Sequence, residues 1–281
     1  MINRKLLVSS ADFFSNDVPI NPYYKEENID LEKAKAEHAL IVSCFREAGI
    51  EVVQVPAPAD SQDGIYTANW GLVRDGKAVM SHLPLARIAE EPYALEVLTN
   101  LGLECFEAPD GFWYSGQGDS LPCGNYLFGG TNYRSDPASQ RFAARILDFE
   151  LVQLQTIPKR DENGAEYINP NTGRPDSFFY DLDLALAVID DGVIAYCPEA
   201  FMPESQQVLA QLPLDKIIVD YDEAVNGFAC NLVSTGSVVV MSARAPKLRA
   251  ALEARGLRTI TPEVSEIAKG GGYIRCISLA L

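Results

Sequence analysis

One unit recurs along these 281 residues: strand, tight turn, strand, helix, strand. The clearest copy opens at Tyr66-Thr-Ala-Asn-Trp-Gly-Leu-Val, turns at Asp75-Gly76 and returns as Lys77-Ala-Val-Met. Asp-Gly between two apolar runs is a strong hairpin signal. A helical stretch from Glu90 to Leu101, stopped by Gly102, leads to the strand Leu103-Glu-Cys-Phe-Glu. Further copies turn at Gly124-Asn125, at Asp191-Gly192 and at Thr235-Gly236, each followed by a helix and a strand. A fifth opens at Tyr273-Ile-Arg-Cys-Ile-Ser-Leu and lacks its remainder. The N-terminus supplies the missing parts: strand Lys5-Leu-Leu-Val, helix Leu31 to Ala48, then strand Ile50-Glu-Val-Val-Gln-Val. Recurrence at roughly 45–60 residues marks repeated supersecondary units. Because the two ends complete each other, the array is expected to close into a ring. The expectation is one α/β domain over residues 1–281, a five-fold ββαβ propeller. The blander alternative is an α/β chain whose hairpins merely look alike.

Such a ring carries the first strand of every unit to its axis. Asn69, Asp119, Asp183, Cys230 and Cys276 would then surround one central cavity. Asp119 and Asp183 stand in apolar surroundings, and a buried carboxylate needs a partner or a cationic ligand. Cys276 follows Gly270-Gly271-Gly272 on what reads as a short apolar strand, and glycines let backbone approach a ligand closely. This is a way to deliver a thiol into a pocket. Cys230 also begins a unit, without a glycine turn before it, and reads better as a core thiol.

The formal net charge of −16 disfavours nucleic acid and anionic membrane as partners, whereas a cationic substrate would suit that field. No stretch reaches the roughly 18 apolar residues of a membrane helix, and Met1 to Ser10 lack a signal-peptide core. The six scattered cysteines read as reduced thiols, and cytoplasmic is the expected location. Two histidines and no CxxC pair give zinc nothing, and no GxGxxG or P-loop indicates a nucleotide, so no metal and no cofactor is expected. The polar excursion from Pro158 to Asp176 reads as a solvated loop or a lid. Substrate identity and oligomeric state stay open, a homo-oligomer included.

Five short motifs, in order, carry a family resemblance across most of the chain. They are Ile20-Asn21-Pro22-Tyr23, Asp63-Gly-Ile-Tyr-Thr-Ala-Asn69, Gly116-Gln-Gly-Asp119, Phe179-Tyr-Asp-Leu-Asp-Leu-Ala-Leu-Ala187 and Gly270-Gly-Gly-Tyr-Ile-Arg-Cys276. On these the chain resembles the pentein, or guanidino-modifying, superfamily, and within it the branch of dimethylarginine dimethylaminohydrolases and arginine deiminase relatives. The resemblance implies a five-fold propeller and a cysteine that attacks a guanidinium carbon to form a covalent adduct. It implies Cys276 as nucleophile and Asn21 and Asn69 as pocket residues. Asp63 and Asp119 become carboxylates in or beside the site, and Arg87 a partner for a substrate α-carboxylate. A surface salt bridge is the alternative for Arg87.

Two positions depart from the family pattern. Tyr180-Asp181-Leu182-Asp183 stands where Tyr-His-Leu-Asp is usual, and Ser115-Gly-Gln-Gly-Asp119 where Glu-Gly-x-Gly-Asp is usual. Asp181 thus replaces the histidine and Ser115 a head-group carboxylate. An aspartate beside the thiol raises its pKa by like-charge repulsion, so a neutral resting thiol is expected. His82 would carry protons only if its loop folded over the pocket, and otherwise reads as a rim residue. The leading expectation is a Cys276-dependent C–N hydrolase or amidinotransferase on a small cationic or zwitterionic, arginine-like amino acid, with Asp181 sharing the proton shuttle. The alternatives are a divergent enzyme on a non-guanidine substrate and an amino-acid-binding pseudoenzyme.

Overall fold

The computed structural model describes residues 2–24 and 27–281. Strand β1 (Lys5–Ser9), helix α1 (Leu31–Glu47) and β2 (Glu51–Val55) open the chain. The next unit is β3 (Gly71–Arg74), β4 (Lys77–Met80), α2 (Glu90–Asn100) and β5 (Glu104–Glu107). Then come β6 (Ser120–Cys123), β7 (Tyr126–Gly130), α3 (Pro137–Ile146) and β8 (Glu150–Leu154). The fourth set is β9 (Leu186–Asp190), β10 (Val193–Tyr196), α4 (Pro203–Gln211) and β11 (Asp215–Ile218). After α5 (Tyr221–Gly227) follow β12 (Val233–Ser234), β13 (Val238–Val240), α6 (Pro246–Glu253), β14 (Arg258–Ile260) and finally β15 (Leu279–Ala280).

These strands form five three-stranded sheets of one pattern, an antiparallel pair with a third strand parallel to the middle one. In the first sheet the two ends of the chain meet. Leu6 of β1 pairs antiparallel with Ala280 of β15, and β1 runs parallel to β2. The hairpin between β3 and β4 explains why its sequence was so legible. Asp75 and Gly76 both have positive φ, 50° and 78°, as a type I′ turn requires. The helices lay one apolar face on the outside of the sheets. Ala94 and Leu98 of α2 pack with Trp70, Ala78 and Met80, and Ile41, Val42 and Phe45 of α1 pack with Leu6 and Val8. Among the described residues no helix is long and apolar enough to cross a membrane.

The unit openings differ from the expected strands. Three of them are 3-10 turns, Thr67–Trp70, Gly116–Gly118 and Leu182–Leu184, and Cys276 lies in a turn that ends only at β15. Backbone bonds Asn69 N to Tyr66 O (3.2 Å), Asp119 N to Gly116 O (3.3 Å), Asn231 N to Phe228 O (3.0 Å) and Ser278 N to Arg275 O (3.0 Å) show the shared device. A polar residue on an inner strand would lose backbone partners at the ring axis; a tight turn keeps them satisfied while the side chain points inward. Helix α5 was also unforeseen, although Asp220 caps it by accepting from the Asp222 and Glu223 N–H groups.

Candidate active site

Glu37 on α1 fixes the approach to the cysteine. Its carboxylate accepts from the N–H groups of Ser265 (2.9 Å), Glu266 (2.8 Å) and Ile267 (3.2 Å), which begin the run toward the glycines. Gly271 then takes φ +87°, with a Cβ there colliding with Asn21, and a Cβ on Gly272 would strike the Tyr66 ring. Only glycines let this turn press against its neighbours. It leaves Cys276 2% exposed.

The Cys276 thiol donates to Asp183 Oδ2 at 3.3 Å and accepts from Asn231 Nδ2 at 3.0 Å. Asn231 is itself held by the N–H groups of Arg275 (2.9 Å) and Cys276 (3.2 Å), both given to its Oδ1. Nothing in the sequence singled out Asn231. Cys230, which the ring could bring to the axis but which reads better as a core thiol, does lie in the core beside Cys197, and Asn231 takes the axial place. Its signal was the recurrence itself, which aligns it with Asn69 and Asp119 at the start of their units.

Asp181 uses both oxygens on neighbours: Oδ1 accepts from Ser115 Oγ and Oδ2 from Asn69 Nδ2, each at 2.8 Å. The amide of Asn69 is oriented from behind by Arg87 Nη1, which donates to Asn69 Oδ1 at 2.7 Å. Arg87 is not on the surface. It forms a buried two-pronged pair with Glu90 (Nε to Oε1 2.8 Å, Nη2 to Oε2 2.7 Å), and Glu90 also accepts from Trp70 Nε1 at 2.9 Å. A chain Glu90, Arg87, Asn69, Asp181 therefore runs through the protein with every carboxylate oxygen in it bonded. Gly118 makes this approach feasible, since a Cβ there would meet Asn69 Nδ2 and Asp181 Oδ2.

Asp119 and Asp183 are less well provided. Asp119 Oδ1 accepts from Leu182 N at 3.0 Å, while Asp119 Oδ2 and Asp183 Oδ1 are buried without a hydrogen-bond partner among the described residues. Burial, then the charge of Asp181, pushes both carboxyls well above the usual range. Burial also raises Asp181, against which Arg134, Asn69 and Ser115 pull. Burial, then Asp183 and Asp181, drives the Cys276 thiol well above the ordinary cysteine value. The carboxylates around the sulfur therefore favour a neutral resting thiol.

A cavity of about 10 Å³, room for roughly one water molecule, touches Cys276, Asn21, Asp63, Asn69, Arg87 and Arg134. Asp63 accepts from Tyr24 (2.7 Å) and from Gln62, and Asn21 donates to Gly270 O at 3.0 Å. Arg134, which the sequence did not flag, is 5% exposed, lies 4.7 Å over the Tyr180 ring and donates Nη2 to Ile20 O. His82 is elsewhere: its Nε2 meets Ala108 O at 2.9 Å, and it lines a separate hollow with Glu91 and Trp113. The excursion 158–176 folds back through bridges Arg160 to Glu166 and Ile168 to Pro175, and none of its residues lines the cavity.

No protein-family model matches the chain. It is 30% identical to the bifunctional arginine dihydrolase/ornithine cyclodeaminase ArgZ of Synechocystis sp., over 98% of this chain and 37% of that protein. It is 29% identical to the N(G),N(G)-dimethylarginine dimethylaminohydrolase of Mycobacterium tuberculosis, over 99% of this chain and 86% of that one. The solved N-terminal domain of ArgZ, an arginine dihydrolase bound to product, superposes with a TM-score of 0.87 at 28% identity, covering 98% of this chain and 96% of the domain. A single-substitution variant of that domain has also been solved covalently bound to a reaction intermediate. Five three-stranded sheets of one pattern, matching the solved relatives in fold, define a five-fold α/β propeller. The chain belongs to the pentein superfamily, beside its dimethylarginine dimethylaminohydrolase and arginine dihydrolase members. It spans 37% of the length of the bifunctional relative.

Proposed function

We propose that the chain is a cysteine-dependent C–N hydrolase or amidinotransferase acting on a small arginine-like amino acid. The observation that carries this reading is the Cys276 thiol seated on Asp183 Oδ2, with a cavity at Cys276 that Asp63 and Asn69 also line. A guanidinium or related cation there would offset the carboxylates that raise the thiol pKa and lower it on arrival. Asp183 takes the S–H proton, and the thiolate attacks the central carbon. The leaving nitrogen departs as amine with that proton. Water, or a second amine in transfer, then adds to the adduct and gives its proton to Asp183, and the C–S bond breaks to return the thiol.

Asp181, with both oxygens engaged, holds negative charge toward the substrate and shares in the proton traffic through Ser115. Asn21, Asn69, Asp63 and Asp119 shape the pocket. Arg87 acts on the substrate through Asn69, because Glu90 occupies its two-pronged face. Arg134 has one acceptor, Ile20 O, and suits a substrate α-carboxylate; that bond must open, since the cavity is far too small for an amino acid. Six free cysteines accord with a cytoplasmic location as part of the proposal.

The test is intact-mass spectrometry during turnover of arginine, agmatine and their N-methylated relatives, with product assay. An adduct on Cys276 and its loss, with activity, in Cys276→Ala is expected; unchanged turnover in that variant defeats the reading. One observation favours a second reading, a non-guanidine substrate: Ser115 donates to Asp181 and closes the place of a head-group carboxylate. Asp181→His with Ser115→Glu separates the two. Arginine hydrolysis gained at the expense of a native activity supports the second.

A further inference from the structure

A second chamber, of about 240 Å³, lies on the ring axis behind the cysteine. The five units all contribute to its wall, through Val73, Leu121, Leu186, Leu232 and Ala280, as do the turn residues Gly124 and Asp191. Asp183 is the partition. Its Oδ2 receives the Cys276 thiol hydrogen, while the residue also lines this chamber and its buried Oδ1 has no partner among the described residues.

Arg275 lines the same chamber at 6% exposure. Its Nη1 donates to Ser278 O at 3.1 Å and its Nη2 to Gln117 Oε1 at 2.6 Å. Nε makes no hydrogen bond, and no carboxylate oxygen lies within 4.0 Å of the guanidinium, among the described residues. Burial pulls its pKa below the ordinary arginine value, with Asp183 pulling the other way. A buried guanidinium without a carboxylate, and a carboxylate residue with a buried oxygen lacking a donor, line one hollow whose wall also carries Arg74, Asn3 and Asp191 among its apolar residues. Either alone is costly.

We propose that this chamber binds a small apolar α-amino acid, its carboxylate on Arg275, its ammonium on Asp183 Oδ1 and its side chain against Leu121, Leu186 and Leu232. A zwitterion satisfies both groups and brings no net charge into the interior. A simple anion would leave Asp183 unmet, and a simple cation would leave Arg275 so. Occupancy reaches the cysteine through Asp183. An ammonium on Oδ1 offsets the charge that raises the thiol pKa, so the occupied protein alkylates faster at Cys276.

Isothermal titration of the full chain with L-leucine tests this, with isovalerate and leucinamide as probes lacking one charge each. L-leucine is expected to bind, and each probe to bind roughly tenfold weaker or worse. Val188→Trp, which fills the chamber from its wall, and Arg275→Gln should each abolish binding, whereas Arg134→Ala in the front cavity should not. Iodoacetamide labelling of Cys276 should quicken with L-leucine present. Absence of binding at millimolar L-leucine overturns the proposal. So does binding that survives in whichever of Val188→Trp and Arg275→Gln folds, or that is lost in a folded Arg134→Ala. None of these readings needs turnover, so the catalytic proposal can fail while this one holds.

Discussion

Asp183 Oδ2 accepts the Cys276 thiol hydrogen at 3.3 Å, so the acid nearest the sulfur is the one two residues beyond the family's usual histidine position. That bond and the burial around it keep the thiol neutral at rest. Asp183→Asn removes a negative charge from the sulfur's neighbourhood and should lower the thiol pKa. Alkylation by iodoacetamide at pH 8 should run roughly tenfold faster than in wild type, the difference closing at high pH. A rate equal to wild type across the pH range would show that Asp183 does not govern the thiol.

Asp119 has one oxygen on Leu182 N and one without a hydrogen-bond partner among the described residues, and burial pushes its carboxyl well above 3.8. An acid with a raised folded pKa contributes most below its unfolded pKa and loses that contribution as pH climbs through the folded value. Asp119→Asn, which keeps the acceptor for Leu182 N, should therefore be more stable than wild type at pH 7–8. The advantage should vanish as pH falls toward 4. Urea unfolding at both pH values measures it.

The Arg87–Glu90 pair is buried at 5% and 0% side-chain exposure. Arg87→Met strands a carboxylate in the core and should cost about 3–5 kcal/mol. Arg87→Met with Glu90→Gln should recover a large part, because the amide can still accept from Trp70 and carries no charge. Equal losses in the single and double variants would mean that Arg87 matters by packing alone.

Arg134 tests where the substrate's α-carboxylate goes. Arg134→Gln should raise KM by roughly tenfold or more with a smaller change in kcat, the pattern of lost ground-state binding. Agmatine, which lacks the carboxylate, should be indifferent to the change. A variant that lost agmatine turnover to the same degree would assign Arg134 to the roof over Tyr180 instead.

The ring was legible because its punctuation is local. Asp75-Gly76 and Gly102 state a turn and a helix end through backbone requirements that neighbours cannot override, and α2 (Glu90–Asn100) falls where the sequence places it. The openings were not legible, since Thr67-Ala-Asn-Trp reads equally well as a strand until the axis forces it into a 3-10 turn. The same ambiguity put Cys230 where Asn231 stands. Arg134 belongs to no motif and gains meaning only when Tyr180 and Ile20, distant in sequence, close around it.

The pairing of Leu6 with Ala280 has a kinetic side. Cys276 lies three residues before the strand that makes this contact, so its pocket exists only after the two extremities have found each other. Loop closure over such a span is slow, and contacts this distant form late. In refolding, thiol protection at Cys276 should emerge with the last phase, after the inner units have already acquired their helices. Protection of the thiol in step with the helices would show instead that the two end strands pair early.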